Sequence, residues 1–118
     1  MLTISDFMLG KNEYSVQLCQ YFIKVYIEMG EINPHATKTM IAFKADKNFA
    51  YIIRLGKNYL DIVLPFKKVY SDNLCFSKIV KVPGSLDYNH HLRLYSIDDI
   101  NEEVKHYMKL AYANGKGI

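Results

Sequence analysis

Ser85, Asp87, His90 and His91 fall within seven residues of one another, and a hydroxyl, a carboxylate and an imidazole are the parts of a nucleophilic triad. A triad works only when each member is held rigidly beside an oxyanion hole. A short loop after Pro83 and Gly84 supplies neither, so Ser85 and Asp87 are expected to make turn hydrogen bonds instead. The four histidines, His35, His90, His91 and His106, show neither HxxxH nor HExxH spacing. If His90 and His91 lie in a strand they point to opposite faces. No metal site and no catalytic residue is expected. Phosphate cradles of the GxxxxGK[ST] or GxGxxG type are missing, and Gly115, Lys116 and Gly117 follow a helical pattern rather than opening one. No cofactor is expected.

Cations interleaved with tyrosines form the strongest constellation. Lys38, Lys44, Arg54, Lys57, Lys67, Lys68, Lys78, Lys81 and Arg93 alternate in sequence with Tyr51, Tyr59, Tyr70 and Tyr95. Residues 35–95 hold ten Lys/Arg against four Asp/Glu, while both flanking segments are net acidic, so the formal net charge of +3 arises in the middle of the chain. Surfaces that track a nucleic-acid backbone combine such cations, for phosphate, with rings, for stacking. The bland alternative is that these charges keep sheet edges and hairpin tips soluble and unpaired. His91, Arg93 and Tyr95 alternate with Leu92 and Leu94, which puts the three on one face of a strand. That triplet either grips an anion, or Arg93 pairs across strands with Asp61. The candidate binding residues are therefore Lys38, Lys44, Arg54, Lys67, Lys68, His91, Arg93 and Tyr95.

These residues need a scaffold, and its elements are legible in the hydrophobic periodicity. Thr3 to Leu9 reads as a short helix ended by Gly10. Asn12 caps a four-turn helix whose apolar stripe is Tyr14, Leu18, Tyr21, Phe22, Val25 and Met29, with Gly30 as a left-handed stop and Pro34 barring continuation. Strand signals follow at Thr39–Ala45, Phe49–Arg54, Tyr59–Phe66, Phe76–Val82 (the weakest) and His90–Tyr95, with hairpin connections at Asp46–Asn48 and Gly56–Asn58. An antiparallel meander is the simplest topology. Pro65 suggests that its strand frays or lies at an edge. The last element is a helix capped by Ser96 and Asp99, buried through Ile97, Ile100, Val104, Tyr107, Met108 and Ala111 and stopped by Gly115.

Three stretches, "DFMLGKNE" at 6–13, "TKTMIAFKADKNFAYI" at 37–52 and "HLRLYSIDDINEEVKHYMKLAY" at 91–112, resemble a family of small bacterial domains of unknown function. Members of that family occur alone or C-terminal to predicted endonuclease-like or so-called transport proteins. The family is similar to a wider group of two-layer α/β domains with frataxin-like or wing-like shapes, some proposed to bind DNA. The resemblance implies a binding or accessory module, with Lys38, Phe43, Phe49, His91, Arg93 and Tyr112 at matching positions. The segment from Val69 to Asn89 fits the family pattern least.

The expected fold is α+β: one domain spanning 1–118, a two-layer sandwich with an antiparallel sheet of four to five strands and the N- and C-terminal helices on one face. Leu18, Phe22, Val25, Ile41, Phe43, Ile62, Leu64, Leu92, Leu94, Val104 and Met108 should form its core. Cys19 and Cys75 are lone thiols, Asp6 interrupts the short apolar start, and no apolar run reaches the length of a membrane span. A cytoplasmic protein without a membrane partner is expected. Its expected function is non-enzymatic binding, with nucleic acid meeting the basic sheet and hairpin surface. The alternative is a protein-interaction or small-ligand module, including self-association as a dimer.

Overall fold

The computed structural model describes residues 2–117. Helix α1 (Ile4–Met8) opens with a capping box in which the Asp6 N–H donates to Thr3 Oγ1 and the Thr3 N–H to Asp6 Oδ2, both at 3.0 Å. Gly10, at φ 78°, supplies the left-handed turn that lets the chain re-enter a helix. Helix α2 (Glu13–Met29) starts where Asn12 Oδ1 accepts the Tyr14 N–H. Six strands follow: β1 (Asn33–Ala36), β2 (Ile41–Lys44), β3 (Asn48–Leu55), β4 (Leu60–Phe66), β5 (Lys78–Lys81) and β6 (Tyr88–Leu94). A short 3-10 turn at Ile97–Asp99 leads to helix α3 (Glu102–Gly115).

All strand pairings are antiparallel, in the order β1-β2-β3-β4-β6-β5. The first four strands form the expected meander, and β6 then inserts between β4 and β5. Helices α2 and α3 pack against β3 and β4 from one side. Leu60, Ile62, Leu64 and Phe66 of β4, opposite Leu94, Leu92, His90 and Tyr88 of β6, face them. Of the expected core, all but Val25 is buried; Val25 is half-buried.

Several expectations need correction. The sheet has six strands rather than four to five, because Asn33–Ala36 forms an extra edge strand after the helix, where the missing N–H of Pro34 removes no ladder bond from the sheet interior. Pro65 lies in a central strand, not an edge. It is tolerated because the β3–β4 pairing runs only as far as Tyr51 opposite Val63, leaving Pro65 beyond that ladder. The C-terminal helix does not begin at Ser96. Asp99 Oδ2 accepts the Tyr95 and Ser96 N–H groups, the backbone breaks at Ile100, and Asn101 Oδ1 then caps α3 through the Val104 N–H. Ile97 is consequently exposed rather than core. Gly30 is extended at φ 165°, not left-handed; a side chain there would collide with the Tyr112 ring. Helix α3 does end at Gly115, but the left-handed residue is Gly117, at φ 78°, and a side chain at Gly115 would strike Phe49.

Two irregularities in β3 shape the surface. The ladder to β2 skips Phe49, so Phe49 and Ala50 are both buried, with Phe49 packed on the rings of Tyr26 and Tyr112. The ladder to β4 skips Ile53, which brings Arg54 opposite Asp61 on the helix-free face.

Candidate functional site on the open sheet face

Because directly paired residues share a face, the register traces one continuous row across the uncovered side of the sheet. It runs His35, Ala42, Tyr51, Val63, His91, Lys78, one residue from each strand. The next row carries Arg54, Asp61 and Arg93, with Tyr59 and Tyr95 continuing the same parity at the strand ends.

Arg93 is the best-ordered cation in this group. Its Nε donates to Asp61 Oδ1 at 2.7 Å and its Nη2 to Asp61 Oδ2 at 3.0 Å, a bidentate fork. The same guanidinium stands 3.8 Å from the centre of the Tyr59 ring, and that of Arg54 stands 6.0 Å from it. The Asp61 fork raises the Arg93 pKa further above its ordinary value, so its charge is permanent. Tyr59 and Tyr95 approach edge to face at 6.4 Å between ring centres. Helix α2 braces this corner from below: Ser15 Oγ donates to the Gly56 carbonyl and the Tyr14 hydroxyl to the Tyr95 carbonyl.

Gly56 is what allows Tyr59 to fold over the hairpin. A Cβ at that position would sit inside the Tyr59 ring. Gly56→Ala is therefore expected to displace Tyr59 from Arg93 and to lower stability by about 1–3 kcal/mol through overpacking. A thermal melt reads this directly, and an unchanged midpoint would mean that the ring does not lie over the glycine.

A cleft of about 590 Å³ lies beside this corner, bounded by Arg93 and His91 of β6, Lys78 and Ser77 at the start of β5, and Leu74 of the preceding loop. Burial, and then the charge of Lys78, lower the His91 pKa below its ordinary value, with Asp61 opposing. A second cleft, of about 480 Å³, lies at the opposite end of the strands, with Lys47, Lys67 and Lys68 beside Asp87.

The eight candidate residues do not form one patch. Arg54, His91, Arg93 and Tyr95 come together on the open face. Lys67 and Lys68 follow β4 at the far end, where Lys67 pairs with Asp87 at 3.0 Å and Lys68 stands over the Tyr70 ring at 4.8 Å. Lys44 ends β2 opposite Asn33 and Asn48, and Lys38 lies in the exposed β1–β2 turn. Of the two alternatives weighed for the His91, Arg93 and Tyr95 triplet, the pairing of Arg93 with Asp61 is the one present, and Arg93 also lines a cleft with the other two. Lys78 and Tyr59 join them, and Tyr59 was recognisable by its parity with Asp61 in the β4 alternation.

The apparent triad is dispersed. His90 is fully buried on the helix side while His91 faces outward, Ser85 Oγ accepts the Asp87 N–H at 3.0 Å, and Asp87 is engaged by Lys67. Burial pushes the Cys19 thiol up to about 12 and the Cys75 thiol up to about 11, which keeps both protonated. Among the described residues no group of three or more His, Cys, Asp or Glu side chains is placed to hold a metal ion, and no helix is long and apolar enough to cross a membrane.

A family described as "Domain of unknown function (DUF5655)" matches residues 4–115, nearly the whole chain. The chain belongs to the DUF5655 family. The match runs from α1 through α3, so the open sheet face lies entirely within the DUF5655 unit. No curated protein and no solved structure matches the chain.

Proposed function

We propose that this DUF5655 domain is a non-enzymatic module that binds single-stranded nucleic acid across its open sheet face. The observation that supports this reading most is the make-up of that face: Arg54, Lys78 and Arg93 gathered around the carboxylate of Asp61 and interleaved with the rings of Tyr51, Tyr59 and Tyr95, with Asp87 paired to Lys67 beyond Tyr51. Cations meet phosphates, and aromatic rings on a sheet stack unpaired bases, a division of labour that needs no base-reading helix. Sequence preference should be slight, since phosphate contacts carry no sequence information. The protein-interaction alternative through a sheet edge is less favoured, because β1 carries Pro34 and β5 carries Lys78 and Lys81, residues that discourage strand addition.

The expected result in fluorescence anisotropy with a labelled single-stranded oligonucleotide is binding at low salt that weakens steeply as salt is raised. Replacing Arg54 and Lys78 together by Ala should reduce the slope of log K against log salt by about 1.4, two phosphate contacts at roughly 0.7 each. The pair Lys67→Ala and Lys68→Ala, at the opposite end of the strands, should change it little. Absence of binding at low salt, or equal effects of the two pairs, would overturn assignment to the open face.

A further inference from the structure

We propose that the cleft on the open face beside β6 and the start of β5 is a phosphomonoester site, built to receive a terminal phosphate rather than an internal phosphodiester. The inference rests on the nucleic-acid reading for its ligand class, but the observations that carry it are local. Arg93 uses Nε and Nη2 to hold Asp61, and its side chain also interacts with Tyr95. Asp61 occupies two of its five N–H groups, and the Asp61 fork and the Tyr59 ring fix the plane in which the others donate. A guanidinium already held in one orientation loses little entropy when it takes an anion, which is the advantage of an outer carboxylate behind a ligand-binding group.

Lys78 lies directly opposite His91 in the β5–β6 ladder, and His91 precedes Arg93 by two residues on the same face. Three nitrogen bases therefore line one cleft of about 590 Å³, with the Ser77 hydroxyl, which donates to the His91 carbonyl at 3.2 Å, at its edge. The charged groups around His91 are Lys78 on β5, Asp61 on β4 and Arg93 on its own strand; β3 contributes the apolar Ile53, and His90 projects to the other side of the sheet. Without an anion, Lys78 disfavours the imidazolium. At pH 7 Lys78 and Arg93 less Asp61 leave a local charge of +1, and a phosphomonoester of about −1.5 to −2 entering the cleft favours proton uptake by His91, which brings the site to +2. A phosphodiester carries only one charge and would leave the site unbalanced. The loop residues Leu74 and Ser77 bound the cleft on the β5 side, and Tyr95 stands at its opening, where the ring of a nucleotide attached to the phosphate would stack.

The source of the phosphomonoester is either a phosphorylated strand end or a free mononucleotide, and the experiment separates them. Histidine ring NMR of the full chain would be followed during titration with inorganic phosphate, then with adenosine monophosphate, and anisotropy would compare 5′-phosphorylated, 3′-phosphorylated and unphosphorylated forms of one oligonucleotide. Phosphate should shift the His91 resonances and raise its pKa while leaving His35 and His106 unmoved. One phosphorylated oligonucleotide should bind about tenfold tighter than its unphosphorylated form near pH 7, where the terminal phosphate carries its second charge. Lys78→Gln should abolish both effects with the amide spectrum otherwise intact. A preference for phosphorylated strands assigns the strand end as the source; a nucleotide that binds in the cleft while no oligonucleotide does assigns the free nucleotide and sinks the strand-binding reading alone. Oligonucleotides that bind equally with and without a terminal phosphate, with no phosphate response at His91, would refute the phosphomonoester site and leave the strand-binding reading standing.

Discussion

Replacement of Tyr26 by Ala is expected to lower the unfolding free energy by about 3–5 kcal/mol, the cost of emptying a large aromatic site in a packed core. Tyr26 is fully buried where α2, α3 and the sheet meet. Its ring lies 5.4 Å from Phe22, 5.0 Å from Phe43 and 5.3 Å from Phe49, and its hydroxyl donates to the Met108 carbonyl at 2.9 Å. One side chain thus ties two helices and two strands together. Desolvation raises its pKa well above the ordinary tyrosine value, so the hydroxyl stays a donor throughout the usable pH range. A domain of this size has about 5–15 kcal/mol in total, and the Ala variant should sit near its folding threshold. Tyr26→Phe keeps the rings and removes only the hydroxyl, so it should cost about 0.5–1.5 kcal/mol. Urea titrations of the two variants check both numbers. A loss below 1 kcal/mol for Tyr26→Ala would show that the helices do not converge on this residue.

Tyr26 also marks the limit of what periodicity discloses. The spacing of Leu18 and Phe22 locates α2 and its general apolar side, but the buried line runs Ser15, Leu18, Cys19, Phe22 and Tyr26, rotated from the stripe through Tyr21, Val25 and Met29. Tyrosine is apolar in its body and polar at its tip, and it is buried only where its hydroxyl finds an acceptor. Here the acceptor is 82 residues away, on another helix. The strands were more legible, because a period of two is short and Leu60, Ile62 and Leu64 state it plainly. Their order was not: nothing local specifies that β6 inserts between β4 and β5. The site divides in the same way. The common face of His91, Arg93 and Tyr95 follows from alternation alone, whereas the arrival of Lys78 and the separation of Lys67 and Lys68 follow from strand order.

The segment between β4 and β5 was the least legible of all, and its anchor is the residue that sequence spacing offered as part of a triad. His90 Nε2 accepts the Tyr70 N–H at 3.0 Å, and Nδ1 lies 2.9 Å from the Tyr88 carbonyl, to which it donates. This pair of bonds requires the neutral ring with its proton on Nδ1. Phe66, Phe76 and Tyr70 surround the imidazole at 4.9, 4.9 and 5.7 Å. Burial lowers the His90 pKa below 6.5, with the Tyr88 bond opposing. The folded state therefore takes up a proton less readily than the unfolded chain. Stability should be full above about pH 6.5, where both states are neutral, and should fall as the pH drops from there toward the lower folded value. His91 is shifted the same way and contributes in the same window.

His90→Leu separates the two histidines. At pH 7.5 it leaves the Tyr70 N–H without its acceptor and should cost about 1–3 kcal/mol. Between pH 6.5 and pH 5 its midpoint should fall less steeply than that of the parent protein, because the contribution of the lowered His90 pKa is gone and that of His91 remains. His91→Gln should show the converse, near-parental stability at pH 7.5 with most of the acid sensitivity retained. Since the loop anchored by His90 carries Leu74 and Ser77 into the wall of the cleft beside β6, the protection of the Tyr70 amide, relative to its intrinsic exchange rate at each pH, should fall on acidification in the parent and be low at every pH in His90→Leu. An acid slope identical in parent and His90→Leu would remove His90 from its place as the fastener between this loop and the core.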